Sequence, residues 1–449
     1  MADIYIVISK YVLMFLMIAY TWECFSALKN RTEEKADNIF NRQSFIIYAT
    51  YIIGMIVVYL NNKSDTTIVL IGAQLIYLVI VLGIFPIIYP AISRALLSNM
   101  CMLLSIGFII LGRMCYEQSI KQFIIVAAAT LLSLIVPFLM SKYEIWKDLT
   151  WVYCVVGIAL LIIVLVIGRI SKGAYLSITI GSFTFQPSEF VKIIYVFFLA
   201  GMLADKPNFK KVVISALLAG TFVIILVLSR DLGCALIFFM AYAFMLYVGS
   251  SRKIYLFLCA GGGSLAAVIA YKLFTHVQIR VAAWKNPWPL IDDEGYQVTQ
   301  SLFAICSGGF TGTGLYQGLP TSIPESEKDF IFSVIAEEFG GVFAMLLILV
   351  CLSCFIAFVK IAMQQISMFN RLVAFGLAIV YAVQVILTIG GAIKMIPSTG
   401  VTLPLVSYGG SSILSTLIIF SIIQGLAIVG TENVKGLRGK RNRKDEAVE

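Results

Sequence analysis

The chain has 449 residues, of which 60% are hydrophobic and only 13% charged, and its mean hydropathy is +0.96. A soluble domain of that length needs far more polar surface to cover its core, so the composition excludes the soluble classes and points to a membrane protein. A single histidine, His276, nearly excludes multi-histidine metal sites and Ser-His or Cys-His catalytic pairs, and the formal charge of +9 lies in short loops and a tail rather than on a nucleic-acid-binding face.

Taken in chain order, about thirteen apolar runs are long enough to cross ~30 Å of hydrocarbon as a helix of ~20 residues. They cover 4–28, 44–60, 67–89, 95–114, 122–140, 150–168, 188–204, 211–229, 233–249, 254–274, 333–359, 372–393 and 405–429. In lipid every backbone polar group must be satisfied within its own segment, so these runs are expected to be helices. The period-2 alternation of a membrane barrel is missing. The expected fold class is therefore an all-α, polytopic integral membrane protein, a helical bundle of about thirteen transmembrane helices. The nine cysteines are scattered, with no disulfide spacing. Cys351 and Cys354 form a C-x-x-C inside a lipid-length run, where they are expected to be small packing residues.

Orientation follows from the basic residues. The tail carries Lys435, Arg438, Lys440, Arg441, Arg443 and Lys444 and is assigned to the cytoplasm. Alternating backwards from it, the cytoplasmic side collects roughly 20 of the 33 lysines and arginines. An odd number of spans then leaves the N-terminus extracytoplasmic. The first run is too long for a signal peptide and no small-residue cleavage site follows it. Residues 275–332 are the only long non-cytoplasmic connection, and their Trp and Tyr content argues for order near the membrane surface.

The polar signals gather on that same outer side. Gly173-Ala174 comes first, then Gln186–Lys192, Arg230-Asp231-Leu232-Gly233, the long loop, Pro397–Gly400 and Leu403–Ser412. Charges near a membrane are costly, so several on one face make a functional-site candidate. Gln186–Lys192 reads as a helix start with Pro187 in the first turn. Glu189 and Lys192 share a helix face and can pair. A capped helix with a local ion pair explains the same pattern. Ser407–Ser412 reads as a glycine turn entering a helix, where Ser411 and Ser412 and the free amides can hold an anion; tight packing at a helix entry is the plainer alternative.

The long loop contains Gln278–Pro287, Gly295–Ser301, Ala304–Gly309, Gly312–Leu315 and Leu319–Ser333, followed by Glu337-Glu338-Phe339-Gly340. Together with QPSEFVK, RDLG and LPLVSYGGSS, in this order, these segments resemble the shape, elongation, division and sporulation (SEDS) family, the group of FtsW, RodA and SpoVE, over about residues 95–430. The resemblance implies a ten-span core that polymerises lipid II into glycan strands outside the membrane, working with a class B penicillin-binding transpeptidase. It also places the family's essential acid, in its P-E-x-x-x-D-F segment, at Asp329. An exposed loop acid beside Lys328 is the alternative for that residue. Glycosyl transfer from an α-linked diphosphate with inversion needs a base for the acceptor hydroxyl and positive charge for the leaving group. Asp329 is the candidate base. Arg280, Lys285 and Lys394 are candidates for diphosphate contact, with Lys192 a further one, and a divalent cation such as Mg2+ or Mn2+ can supply part of that charge.

Departures from the family's usual pattern are Tyr175 to Ile178 after Gly173-Ala174, Arg230 in place of proline, Cys234, Thr388, and Glu327-Lys328 beside Asp329. The expected organisation is an N-terminal extension of about three helices over 1–92, a catalytic core over 93–430 with its extracytoplasmic loop at 275–332, and a basic tail over 431–449. The expected setting is the cytoplasmic membrane, with membrane lipids around it and no nucleic-acid partner. Two other classes remain open: a flippase for a lipid-linked precursor, and a non-catalytic scaffold for a transpeptidase.

Overall fold

The computed structural model describes residues 2–29, 33–143, 145–171, 174–180, 183–293 and 295–446. The molecule is a polytopic helical membrane bundle. Three helices come first: α1 (Ala2–Ala27), α2 (Glu33–Asn62) and α3 (Asp65–Ile88). They are followed by α4 (Arg94–Met114), α5 (Tyr116–Lys142), α6 (Thr150–Ile167), α7 (Pro187–Leu203), α8 (Phe209–Leu228), α9 (Leu232–Ser250) and α10 (Lys253–Leu273). The long connection holds α11 (Thr275–Lys285) and α12 (Tyr296–Gly308), and the chain finishes with α13 (Ile331–Met363), α14 (Met368–Ala392) and α15 (Gly410–Glu446). Each apolar run marked in the sequence falls on one helix. Among the described residues 11 helices are long and apolar enough to cross a membrane. α6 and α7 are shorter, at 18 and 17 residues.

Helix ends follow local chemistry. Pro187 sits in the first turn of α7, where its missing N–H costs nothing. The Asn208 and Asp231 side chains cap α8 and α9 by accepting the Lys211 and Cys234 amides, each at 3.0 Å. The core runs through the middle of the bundle. α4 is buried almost throughout, between α2, α5 and α13, and α14 is enclosed by α7, α9 and α13. α10 buries none of its residues and lies at the edge beside α9.

The all-α expectation needs one amendment. Between α6 and α7 the chain forms a small antiparallel sheet of β1 (Arg169–Ser171), β2 (Ala174–Ile180) and β3 (Phe183–Phe185), in that order. The stretch Ala174–Ile180 is rich in β-branched and aromatic residues and too short and polar to span, so hairpin pairing satisfies its backbone. Of the Gly173-Ala174 pair, Gly173 lies outside the described residues and Ala174 opens β2.

α13 is broken near its start. Gly340 has φ 90°, a left-handed value that favours glycine, and a side chain there would strike the Gly312 amide at 2.3 Å. The break frees backbone groups that the turn after α12 then satisfies. Thr313 and Gly314 donate to the Glu337 and Glu338 carbonyls at 2.9 Å, and Gly341 donates to the Gly309 carbonyl at 2.8 Å. Irregular backbone is thus kept inside a membrane protein by pairing it with other protein.

Candidate functional site

One end of the bundle gathers the segments that the sequence singled out. The Pro324–Phe330 stretch is a run of turns before α13. Tyr408 donates its amide to the Glu327 carbonyl at 2.8 Å, and Ser407 Oγ donates to the Lys328 carbonyl at 2.6 Å. Gln122 of α5 closes the back of this junction through the Ser407 carbonyl and the Gly409 amide, at 2.9 and 3.2 Å. Asp329 is half-buried, and the Gly400 backbone comes close enough that a Cβ there would stand 3.5 Å from Asp329 Oδ2.

Arg280 is brought to the same place by α11. Its Nη1 donates to the Ser398 carbonyl at 3.0 Å, and one turn on, Trp284 Nε1 donates to the Lys394 carbonyl at 3.1 Å. α11 is therefore moored to the 394–398 stretch. Burial lowers the Arg280 pKa, and the carboxylates of Asp329 and Asp231 push it back up. The guanidinium stays charged and faces two acids. Asp231 is itself held between elements: Ser188 Oγ donates to Oδ2 at 3.2 Å while Oδ1 caps α9. Burial raises its pKa, Cys234 and Ser188 lower it by hydrogen bonding, and nearby Glu189 raises it.

Glu189 and Lys192 do pair, at 2.9 Å, but in a sealed position with side-chain exposures of 5% and 1%. Lys192 Nζ also donates to Gln384 Oε1 at 2.7 Å, and Ser415 Oγ donates to Glu189 Oε2 at 3.0 Å. The pair ties α7 to α14 and α15 from within. Ser411 Oγ accepts the Gln186 amide at 3.0 Å, and Ser412 Oγ shares a hydrogen bond of 2.7 Å with Thr402 Oγ1. The two serines join the start of α15 to the start of α7 and to the preceding loop. Lys285 is exposed at the end of α11, and Lys394 is half-buried with a left-handed φ of 58°.

The structure therefore brings Arg280 and Asp329 to the 398–400 stretch and ties α11 to the Lys394 backbone through Trp284, while Glu189, Lys192, Ser411 and Ser412 join α7, α14, α15 and the preceding loop. Two neighbours were not legible as site residues. Arg230, part of the outer Arg230–Gly233 signal but given no role, and His276, the lone histidine, both act electrostatically in the Arg280 neighbourhood. His276 is pulled below its ordinary 6.5 by burial, then by Arg230 and Arg280. Arg230 also has a left-handed φ of 62°. Among the described residues no three His, Cys, Asp or Glu side chains are grouped to hold a metal ion.

Comparison with known proteins adds a family and a fold. The FtsW/RodA/SpoVE family model, described as cell cycle protein, matches residues 88–430. The peptidoglycan glycosyltransferase RodA of Mycobacterium leprae is 32% identical over 268 residues, covering 56% of this chain and 58% of that protein. The chain thus spans less than two thirds of that relative's length. Stage V sporulation protein E of Bacillus subtilis is 31% identical over 303 residues, covering 65% of this chain and 82% of that protein. Among solved structures, a chain from a peptidoglycan synthase complex that coordinates polymerization and crosslinking is similar with a TM-score of 0.65 and 26% identity, covering 77% of this chain and 99% of that one. The rod shape determining protein RodA of Thermus thermophilus shares the fold, with a TM-score of 0.57 at 24% identity over 76% of this chain and 97% of that one.

Proposed function

This chain belongs to the FtsW/RodA/SpoVE family, and from that premise we propose that it is an inverting peptidoglycan glycosyltransferase that polymerises lipid II at the outer face of the cytoplasmic membrane. The observation that carries this is that Arg280 and Asp329 both reach the 398–400 stretch at the end of the bundle where the polar segments converge, Arg280 through the Ser398 carbonyl and Asp329 beside Gly400. Asp329 takes the proton from the acceptor sugar's 4-hydroxyl as that oxygen attacks the anomeric carbon of the donor. The bond to the donor's diphosphate breaks on the opposite face, so the α-linkage becomes β and the electron pair leaves with the diphosphate. Arg280 offers the leaving oxygens a charged fork from a half-buried position, where its field is screened less than in water. Lys394 adds charge beside it, and exposed Lys285 adds less.

Glu189, Lys192, Ser411 and Ser412 act as the frame that keeps α7, α14 and α15 in register under this site. The carboxylates near Arg280 are Asp329 and Asp231, and one of them would hold a Mg2+ or Mn2+ ion if the reaction uses one. It would add Lewis-acid charge to the leaving group. The likeness to a chain of a synthase complex that couples polymerization to crosslinking supports a class B penicillin-binding protein as partner.

The test is polymerisation by the purified protein, with and without a class B transpeptidase, from labelled lipid II, with products separated by glycan length. A ladder of strands is expected; lipid II left intact in both arms overturns the proposal. Orientation is tested with single cysteines at Asp3, Leu319 and Lys440 in a cysteine-free background. An impermeant reagent applied to intact cells should label the first two only.

A further inference from the structure

The turn that leads from α12 to Asp329 is gripped from three helices. From α13, Glu338 Oε1 accepts the Tyr316 amide at 3.1 Å, and Glu337 Oε1 accepts the Leu319 amide at 3.0 Å. From α4, Arg113 Nε donates to Glu338 Oε1 at 2.7 Å, its Nη2 donates to the Gly318 carbonyl at 3.0 Å, and its guanidinium lies 4.8 Å from the Tyr316 ring centre. Both carboxylates are buried, and they fill the space where a Gly318 side chain would stand, 2.9 Å away. These contacts join elements of the family-matched core.

The third grip comes from outside that core. Lys10 Nζ of α1 donates to the Gly312 carbonyl at 3.0 Å, and an Ile6 methyl lies 2.9 Å from where a Gly314 Cβ would be. α1 is tied down along its length. Tyr20 and Cys24 both donate to Asn99 Oδ1 of α4 at 3.0 Å, and Asn99 Nδ2 reaches Ser353 Oγ of α13 at 2.6 Å. At the far end Lys360 Nζ of α13 donates to the Leu28 carbonyl at 2.9 Å. A helix anchored at its middle and far end can hold whatever its near end touches. What it touches is the turn whose continuation, Pro320 to Phe330, carries Asp329.

We propose that α1, which lies outside the family-matched residues 88–430, is an in-chain clamp on the Gly312–Leu319 turn, and that Lys10 is a positioning residue for Asp329. The link to Asp329 rests on the polymerase function proposed above; the clamp itself does not. A cationic donor on a carbonyl that is partly shielded from water holds more strongly than a neutral one. Core contacts fix the inner side of the turn, and α1 keeps its outer side from lifting.

The test is hydrogen exchange on the full-length protein in nanodiscs, together with polymerisation kinetics. Lys10→Met keeps the length of the side chain and removes the donor. Amides 313–319 should then exchange about tenfold faster, with α4 and the second half of α13 unchanged. kcat should fall by about three- to tenfold while KM holds, because a misplaced base weakens the transition state rather than substrate binding. Lys10→Arg should restore both readouts. Wild-type exchange in Lys10→Met overturns the clamp, and faster exchange with untouched kcat overturns the positioning role. A wild-type protein that makes no glycan removes the polymerase function, while the exchange rates still decide the clamp.

Discussion

Glu189 with Lys192 and Asp329 with Arg280 each set a carboxylate within electrostatic reach of a cation, yet they sit in opposite settings. The first is closed: every contact on Lys192 Nζ and Glu189 Oε2 is a protein group from α7, α14 or α15. The second is half-open, in turns and a short helix at the end of the bundle, with Arg280 bonded to the Ser398 carbonyl and acted on by the charges of Asp329 and Asp231. A closed pair in low dielectric has nowhere to send its charge, so removing one partner strands the other. A half-open pair can trade partners with a substrate. A carboxylate and a cation thus serve architecture in one place and are left open to the proposed chemistry in the other, and burial separates the two.

Four measurements would break or sharpen that contrast. The largest effect is expected from Lys192→Met, which leaves Glu189 buried without its cation and should destabilise the bundle by about 3–5 kcal/mol in thermal or denaturant unfolding. Adding Glu189→Gln to it should recover most of the loss. A double variant as unstable as the single one would mean that the pair is not the stabilising unit.

Asp329→Asn comes next. Glycan polymerisation should drop by about 100-fold or more. Unfolding should move by less than ~0.5 kcal/mol, since the residue is only half-buried in a turn. Glu325→Gln should do less harm, because Glu325 is engaged with Lys328 at 2.8 Å. Polymerisation near the wild-type rate in the Asn variant, with Glu325→Gln inactive, would move the base to Glu325.

Arg280→Ala should lower lipid II turnover by about tenfold, the scale of one charge-assisted contact, while Lys285→Ala stays within about twofold. Equal losses from the two would remove the distinction between a moored and a free cation. The smallest effect concerns His276. Its pKa is depressed, so its contribution to stability is present above the ordinary 6.5 and is lost as pH falls through the lower folded-state value. Between about pH 7 and about pH 5 the melting temperature of wild type should therefore fall slightly more than that of His276→Gln. A steeper fall in the variant would reverse the sign of the electrostatics around Arg280.

The helices were legible because a lipid-length apolar run admits one backbone solution, with its hydrogen bonds made inside the segment. The Glu189–Lys192 pairing was legible for a similar reason, since residues three apart on a helix are neighbours whatever the fold. The short sheet after α6 was not: a brief hairpin in a polar connection has no long period to announce it. Nor were the break at Gly340 and the Arg113–Glu338 bond, whose partners lie on helices distant in sequence.

Sequence by itself determined the class of molecule, the positions of its apolar helices and, through ordered motifs, the family, with Asp329 as the candidate acid. Tertiary structure decided the rest. Only packing brings α11 onto the 394–398 stretch and so carries Arg280 to the backbone that Asp329 also reaches. Packing also seals Lys192 while leaving Arg280 half-open, and lays α1 across the turn before Asp329. Local hydrogen bonding and the apolar solvent act on each segment alone, and composition records them. Burial and charge proximity belong to pairs of segments, and no single stretch of chain contains that information.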